Sequence, residues 1–169
     1  MISIRRASDN DKELCANILF NTGLAKSEQE AKEAVEKEFK RGDNFILAEE
    51  NNKPLGLVTW ILQGSPRHQL VELYHIGVVQ EGRKKGIASL LFQQLEHDAN
   101  KYLSSKGFAL RKLYLLTHID NIAAINFYQK MGMHQEAVLR SHFGEKDEAV
   151  MAKIYPPEAS FPNHISTTE

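Results

Sequence analysis

A single cysteine, a single tryptophan and five prolines are all that the 169 residues contain of those types. One cysteine, Cys15, rules out any disulfide within the chain, which fits a reducing compartment. It falls in an amphipathic stretch and reads as a packed core thiol rather than a nucleophile. An excess of charge is also missing. Lys plus Arg number 21 against 22 Asp plus Glu, a formal net charge of −1, so nothing in the overall balance draws the chain to nucleic acid or to an anionic membrane. No apolar run approaches the roughly 18 residues of a membrane span, and the opening Met-Ile-Ser-Ile-Arg-Arg has no signal-peptide stretch. The seven histidines show no His-x-x-x-His or Cys–His spacing, so no metal site is expected. The expectation is a cytoplasmic protein with neither a membrane nor a nucleic acid as partner.

What remains is the composition of an ordinary globular domain, 42% hydrophobic and 25% charged. Periodicity predicts a strand at 2–6 and a helix after Ser8 or Asp9 with Leu14, Cys15, Ile18 and Leu19 on one stripe, ended by Gly23. A second helix over 26–41 turns Ala31, Ala34, Val35 and Phe39 inward; the rest of its surface is Lys, Glu and Gln and reads as solvated. Strands at 45–49 and 55–62 form a hairpin around Glu50 to Pro54. Leu70 to Val79 is a longer strand, and a long helix runs from near Gly86 to near Gly107 with Ile87, Leu90, Leu91, Leu95, Ala99 and Tyr102 at helical spacing. A short strand at 113–117, a helix at 121–131 and two strands at 134–142 and 148–154 complete the order. This mixture predicts an α/β (α+β) mixed sheet flanked by helices. Residues 1–155 read as one domain, and 156–169, rich in proline and polar residues, as a flexible tail.

The most informative stretch is Val78-Val79-Gln80-Glu81-Gly82-Arg83-Lys84-Lys85-Gly86-Ile87-Ala88-Ser89. An apolar strand enters a basic, glycine-containing turn, and the turn enters a long amphipathic helix. The first N–H groups of a helix have no internal partners and carry partial positive charge, so they cradle phosphate. Gly86 allows close approach to the backbone, Ala88 adds little bulk, and Arg83, Lys84 and Lys85 supply local charge. The spacing is neither the mononucleotide P-loop nor the dinucleotide fingerprint.

Further on, Asn121 stands at a helix start, where its side chain caps the helix or reaches a ligand. Ala124, Phe127 and Tyr128 follow at helical spacing, which lets Asn121 and Tyr128 line one groove.

Together these stretches resemble the Gcn5-related N-acetyltransferase (GNAT) family. Its acetyl-CoA signature is Gln or Arg, two residues, Gly, one residue, then Gly or Ala, and Arg83-Lys84-Lys85-Gly86-Ile87-Ala88 matches it. Leu73 to Val79 matches the family's splayed central strand. Asn121, Ala124, Phe127-Tyr128 and Gly132 match its later pattern. The element order agrees over about residues 2–154, with Gln80 where many members carry proline.

The resemblance implies a GNAT-like acyl-CoA N-acyltransferase fold and transfer of an acetyl group from acetyl-CoA to a primary amine of a small molecule or peptide. The diphosphate would rest on N–H groups of Arg83 to Ser89. The pantetheine arm would run along Ile76, Gly77 and Val78 as an added strand, and the thioester carbonyl would meet a main-chain N–H near Ile76. Asn121, Ala124 and Tyr128 would face the thioester from the other side, with Tyr128 as the acid for the leaving thiolate.

The acceptor's proton goes to Glu72, or alternatively to His75. Strand alternation places Glu72, Tyr74 and Ile76 on one face and His75 on the other, which favours Glu72 unless a bulge intervenes. The acceptor pocket is expected between the first two helices, Gly64 to Gln69 and the hairpin near Arg140 to Glu148, whose Glu145, Asp147 and Glu148 suit a cationic amine. A different acyl donor, or a non-catalytic acyl-CoA-binding module needing neither Glu72 nor Tyr128, is equally compatible with the cofactor signature. The chain is expected to act as a monomer or homodimer.

Overall fold

In the computed structural model, which describes residues 1–166, seven strands form one sheet in the order β1-β2-β3-β4-β5-β7-β6. These are β1 (Ile2–Arg6), β2 (Asn44–Glu50), β3 (Lys53–Leu62), β4 (Leu70–Val78), β5 (Lys112–His118), β6 (His134–Phe143) and β7 (Lys146–Ile154). The helices are α1 (Lys12–Asn21), α2 (Glu28–Arg41), α3 (Ile87–Ser105) and α4 (Ile122–Lys130). Every neighbouring pair is antiparallel except β4 and β5. The mixed sheet predicted from periodicity is therefore present.

Local chemistry sets the element ends. Before α1 the side chain of Asp11 accepts from the Ser8 N–H at 2.7 Å and the Ser8 hydroxyl at 2.9 Å, closing a short turn of 3-10 helix over Asp9–Asp11. Ser27 caps α2 by accepting from the Glu30 N–H at 3.1 Å. The β2–β3 turn holds Asn51 and Asn52 at positive φ, the left-handed pair that a two-residue hairpin requires and that asparagine tolerates.

The two faces of the sheet carry separate cores. On one, Cys15, Ile18 and Leu19 of α1 and Ala31 and Val35 of α2 pack on Phe45, Leu47 and Leu57. On the other, Ile87, Leu91, Phe92 and Leu95 of α3 and Tyr128 of α4 pack on Ile46, Val58, Trp60 and Leu73. Cys15 is fully buried, and burial pushes its thiol up to about 12, so it stays an inert protonated packing group.

Two expectations are corrected. The stretch from 156 to 166 docks on the body of the protein instead of hanging free. The Asn163 side chain accepts from the Gln94 side chain at 3.1 Å, His97 bonds the Phe161 carbonyl at 2.9 Å, and Ile165 bridges to Ile4. The Phe161 ring lies 5.3 Å from that of Tyr155. Gln94 and His97 of α3 thus find partners in the tail; residues 167–169 lie outside the described part. The second correction is in α2. Its polar surface is not solvated throughout, because Glu38 is only 4% exposed.

Among the described residues no helix is long and apolar enough to cross a membrane, and no group of His, Cys, Asp and Glu is arranged to hold a metal ion.

Candidate active site

The site begins where two strands part. β4 and β5 pair at three positions only, Leu70 with Lys112, Val71 with Leu113 and Glu72 with Tyr114. Beyond Glu72 their facing edges have no strand partner among the described residues. The gap is a cavity of about 340 Å³ lined by Leu73 to Val78, Leu115 to Thr117, Asn121, Ala124, Phe127 and Tyr128. Unpaired main-chain groups along such an edge are the usual template for an added extended chain.

At one end of the gap the chain turns into α3. The Val79 N–H donates to the Leu55 carbonyl, the Gly82 N–H to Val79 and the Arg83 N–H to Gln80. From Lys84 to Ser89, none of the six consecutive main-chain N–H groups has a protein acceptor among the described residues. Lys84 and Gly86 both have positive φ, 63° and 74°, backbone of the kind that gathers N–H groups into an anion-binding concavity. A side chain at Gly86 would meet nothing within 4 Å, so the space beside it is open. This loop lines a second hollow of about 260 Å³ with Val78, Arg83, Lys84, Gly86, Ile87, Ala88, Ser89 and Phe127. Val78, Ala88 and Phe127 border both spaces, so the hollow and the cavity adjoin. Lys85 turns away to an ion pair with Glu50 at 2.7 Å.

Helix α4 forms the far wall. The Asn121 carbonyl oxygen caps it by accepting from the Ala124 N–H at 3.3 Å, which leaves the amide NH₂ unspent. Tyr128 is only 7% exposed. Its hydroxyl has no protein partner among the described residues, and burial pushes it up to about 12, so it holds its proton throughout the physiological range.

The structure therefore brings Ile76, Gly77, Val78, Ala88, Asn121, Ala124 and Tyr128 to one cavity and Arg83, Lys84, Gly86, Ile87 and Ser89 to the hollow beside it. Glu72 is not with them. It stands at the closed end of the gap, where its carboxylate accepts from the Gln63 side chain at 2.5 Å and the Tyr114 hydroxyl at 3.1 Å.

The expected alternation along β4 is also overturned. Trp60 faces Leu73 and Thr59 faces His75, with a register shift between them. Tyr74 is thus an extra residue, a β-bulge that reverses which face each later side chain takes. The bulge is held by the Thr59 hydroxyl, which accepts from the His75 N–H at 3.0 Å. Ile76 consequently packs with Leu73 on the α3 side. His75 turns to the α2 side, where its Nε2 meets the Glu38 carboxylate at 2.9 Å.

Glu38 is the residue that sequence reasoning missed. It follows Ala31 and Val35 at helical spacing, on the inward stripe of α2, and a carboxylate on an apolar stripe was the available signal.

A family model described as the acetyltransferase (GNAT) family matches residues 13–133. An uncharacterized N-acetyltransferase of Methanocaldococcus jannaschii is 28% identical over 102 residues, covering 58% of this chain and 42% of that protein. This chain spans about half the length of the curated relatives it matches. Among solved structures, aminoglycoside 6′-acetyltransferase type Ii superposes with a TM-score of 0.74 at 25% identity, covering 92% of this chain and 99% of that one. An aminoglycoside 6′-N-acetyltransferase complexed with coenzyme A gives 0.73 at 21% identity, covering 93% and 99%.

Proposed function

The chain belongs to the GNAT acetyltransferase family, and from that premise we propose that it moves an acetyl group from acetyl-CoA to a primary amine by direct attack of the amine. One observation carries this reading. The gap between β4 and β5 adjoins six N–H groups at the start of α3 that have no protein acceptor among the described residues, so an extended arm and a diphosphate have adjoining places. The residues fit such a substrate. Lys84 to Ser89 offer donors to the diphosphate, with Arg83 and Lys84 adding charge. The free edge of β4 over Ile76 to Val78 offers main-chain groups to the pantetheine amides.

The thioester supplies the acyl group; the chain supplies orientation and protons. A main-chain N–H near Ile76 stabilises charge that develops on the carbonyl oxygen. The Asn121 amide, capping α4 through its oxygen, keeps its NH₂ for a ligand carbonyl. The Tyr128 hydroxyl donates to the departing sulfur. With the phenol near 12 and a free thiol ordinarily near 8.5, full transfer runs uphill in water. In the gap, the sulfur anion is itself raised by desolvation, which narrows the difference.

The acceptor side is acidic. Glu72 with Tyr114, and Glu148 with His118, are register pairs on one sheet face, the same face to which the bulge turns His75, against Glu38 of α2. This favours a cationic amine, as does the likeness to two enzymes named for aminoglycosides.

The experiment is incubation with acetyl-CoA and panels of polyamines, amino sugars, amino acids and peptides, with free thiol release followed over time. Release that depends on an amine supports the reading; tight binding of acetyl-CoA with no release for any amine makes the protein a binding module instead.

A further inference from the structure

Resting on that acetyl-transfer reading, we propose that His75, held by Glu38, is the group that removes the proton from the acceptor amine, with Glu38 as a positioning residue acting through it. His75 lines the cavity beside Ile76 and Gly77. Its Nε2 faces Glu38 Oε1 at 2.9 Å, and the ring has no other hydrogen bond among the described residues. An ionised carboxylate only accepts, so opposite one, Nε2 carries the proton and donates it. In the neutral ring this sets the Nε2–H tautomer and leaves the Nδ1 lone pair free, as a base requires. The main chain is fixed as well, because the Thr59 hydroxyl accepts from the His75 N–H.

Glu38 is suited to this task rather than to packing alone. Among the described residues its Oε2 is buried with no hydrogen-bond partner. A buried carboxylate with one oxygen unsatisfied is costly unless a positive charge forms beside it, and protonation at Nδ1 spreads that charge over the ring that Glu38 bonds. The other charged groups on this side are already paired. From α2 come Glu38 and, over the Tyr74 ring at 5.1 Å, Arg41, itself paired with Asp43. From β4 come Tyr74 and Glu72, from β3 the neutral Thr59, from β5 Tyr114 and His118, and from α1 the protonated Cys15. Glu72 and His118 are engaged elsewhere, with Gln63 and Tyr114 and with Glu148 respectively.

The proton balance closes. An N–H bond of the acceptor ammonium breaks as Nδ1–H forms, and the free amine attacks the thioester carbon. The C–N bond forms and the C–S bond breaks. The sulfur takes the Tyr128 proton, and Tyr128 regains one, through solvent, from the second proton shed by the nitrogen. His75 returns its proton to solvent, so one proton is released per acetyl transferred.

The test uses the intact protein. Imidazole ¹⁵N spectra, with His75 assigned by its loss in His75→Gln, are expected to show the Nε2–H tautomer, and Glu38→Gln is expected to mix the two tautomers. Turnover is then followed with acetyl-CoA and primary amines of stepped basicity, from propylamine to trifluoroethylamine. His75→Gln is expected to lose about 10²–10⁴-fold with the most basic amine and to approach the parent protein with the least basic, which arrives already deprotonated. Coenzyme A binding by calorimetry stays unchanged in both variants. An Nδ1–H tautomer, or an equal loss across the amine series, overturns the base assignment. Absence of turnover with every amine contradicts the acetyl-transfer reading instead, and leaves the tautomer result to decide the pairing of His75 with Glu38.

Discussion

Glu72 and Tyr114 are the last pair at which β4 and β5 run side by side, and the Tyr114 hydroxyl donates to the Glu72 carboxylate at 3.1 Å. Just beyond them the strands part and the cavity begins. The pair closes the base of the gap, and burial together with the Glu72 charge pushes the Tyr114 hydroxyl up to about 12. Tyr114→Phe is therefore expected to cost about 0.5–1.5 kcal/mol in denaturant unfolding. Glu72→Gln is expected to lower turnover by less than about tenfold, below the loss of a positioned acid or base. A larger loss would return Glu72 to the chemistry.

A substitution at Tyr128 tests proton delivery apart from binding. Tyr128→Phe keeps the ring in the core it shares with α3 and removes only a hydroxyl without a protein partner among the described residues. Turnover is expected to fall about ten- to a thousand-fold, while coenzyme A affinity by calorimetry changes little. An unchanged rate would remove the hydroxyl from the mechanism.

Gly86 allows two substitutions with opposite outcomes. Gly86→Ala places a Cβ in open space at a positive φ, so it is expected to cost about 1–2 kcal/mol of stability while coenzyme A binding survives. Gly86→Glu brings bulk and negative charge to the row of N–H donors and is expected to abolish that binding. Thermal unfolding and calorimetry on both variants distinguish strain from occlusion.

Asp11 ties acid stability to the first turn. Its carboxylate is held well below the usual range, first by the Arg5 guanidinium, which also bonds Glu49 at 2.8 Å. A carboxylate depressed in the folded state contributes stability above its unfolded value, about 3.9, and loses it as pH falls toward the folded value. Asp11→Asn is expected to lower the melting temperature at neutral pH, and the two melting curves should converge as pH falls below about 4. A constant offset down to strongly acid pH would contradict the pairing.

Much of this was readable in the chain, for local reasons. Val78 to Ser89 spells strand, basic glycine turn and amphipathic helix, and neighbours in sequence alone set that arrangement. Asn121 and Tyr128 reach one wall because helical periodicity puts them there. The β4 bulge was not readable, because it depends on Thr59, a residue of another strand, accepting the His75 N–H. The same distance hid Glu38, whose burial follows from α2 packing over β4. The tail read as loose because proline and polar residues carry no periodicity, whereas Gln94 and His97 supply the partners that hold it.

The central claim is that donors at the start of α3 and the free edge of β4 hold the two parts of one substrate. A crystal structure with bound coenzyme A tests it most directly. The account requires the diphosphate on the N–H groups of Lys84 to Ser89 and the pantetheine alongside Ile76 to Val78. Coenzyme A bound elsewhere, with the gap between β4 and β5 empty, would contradict it.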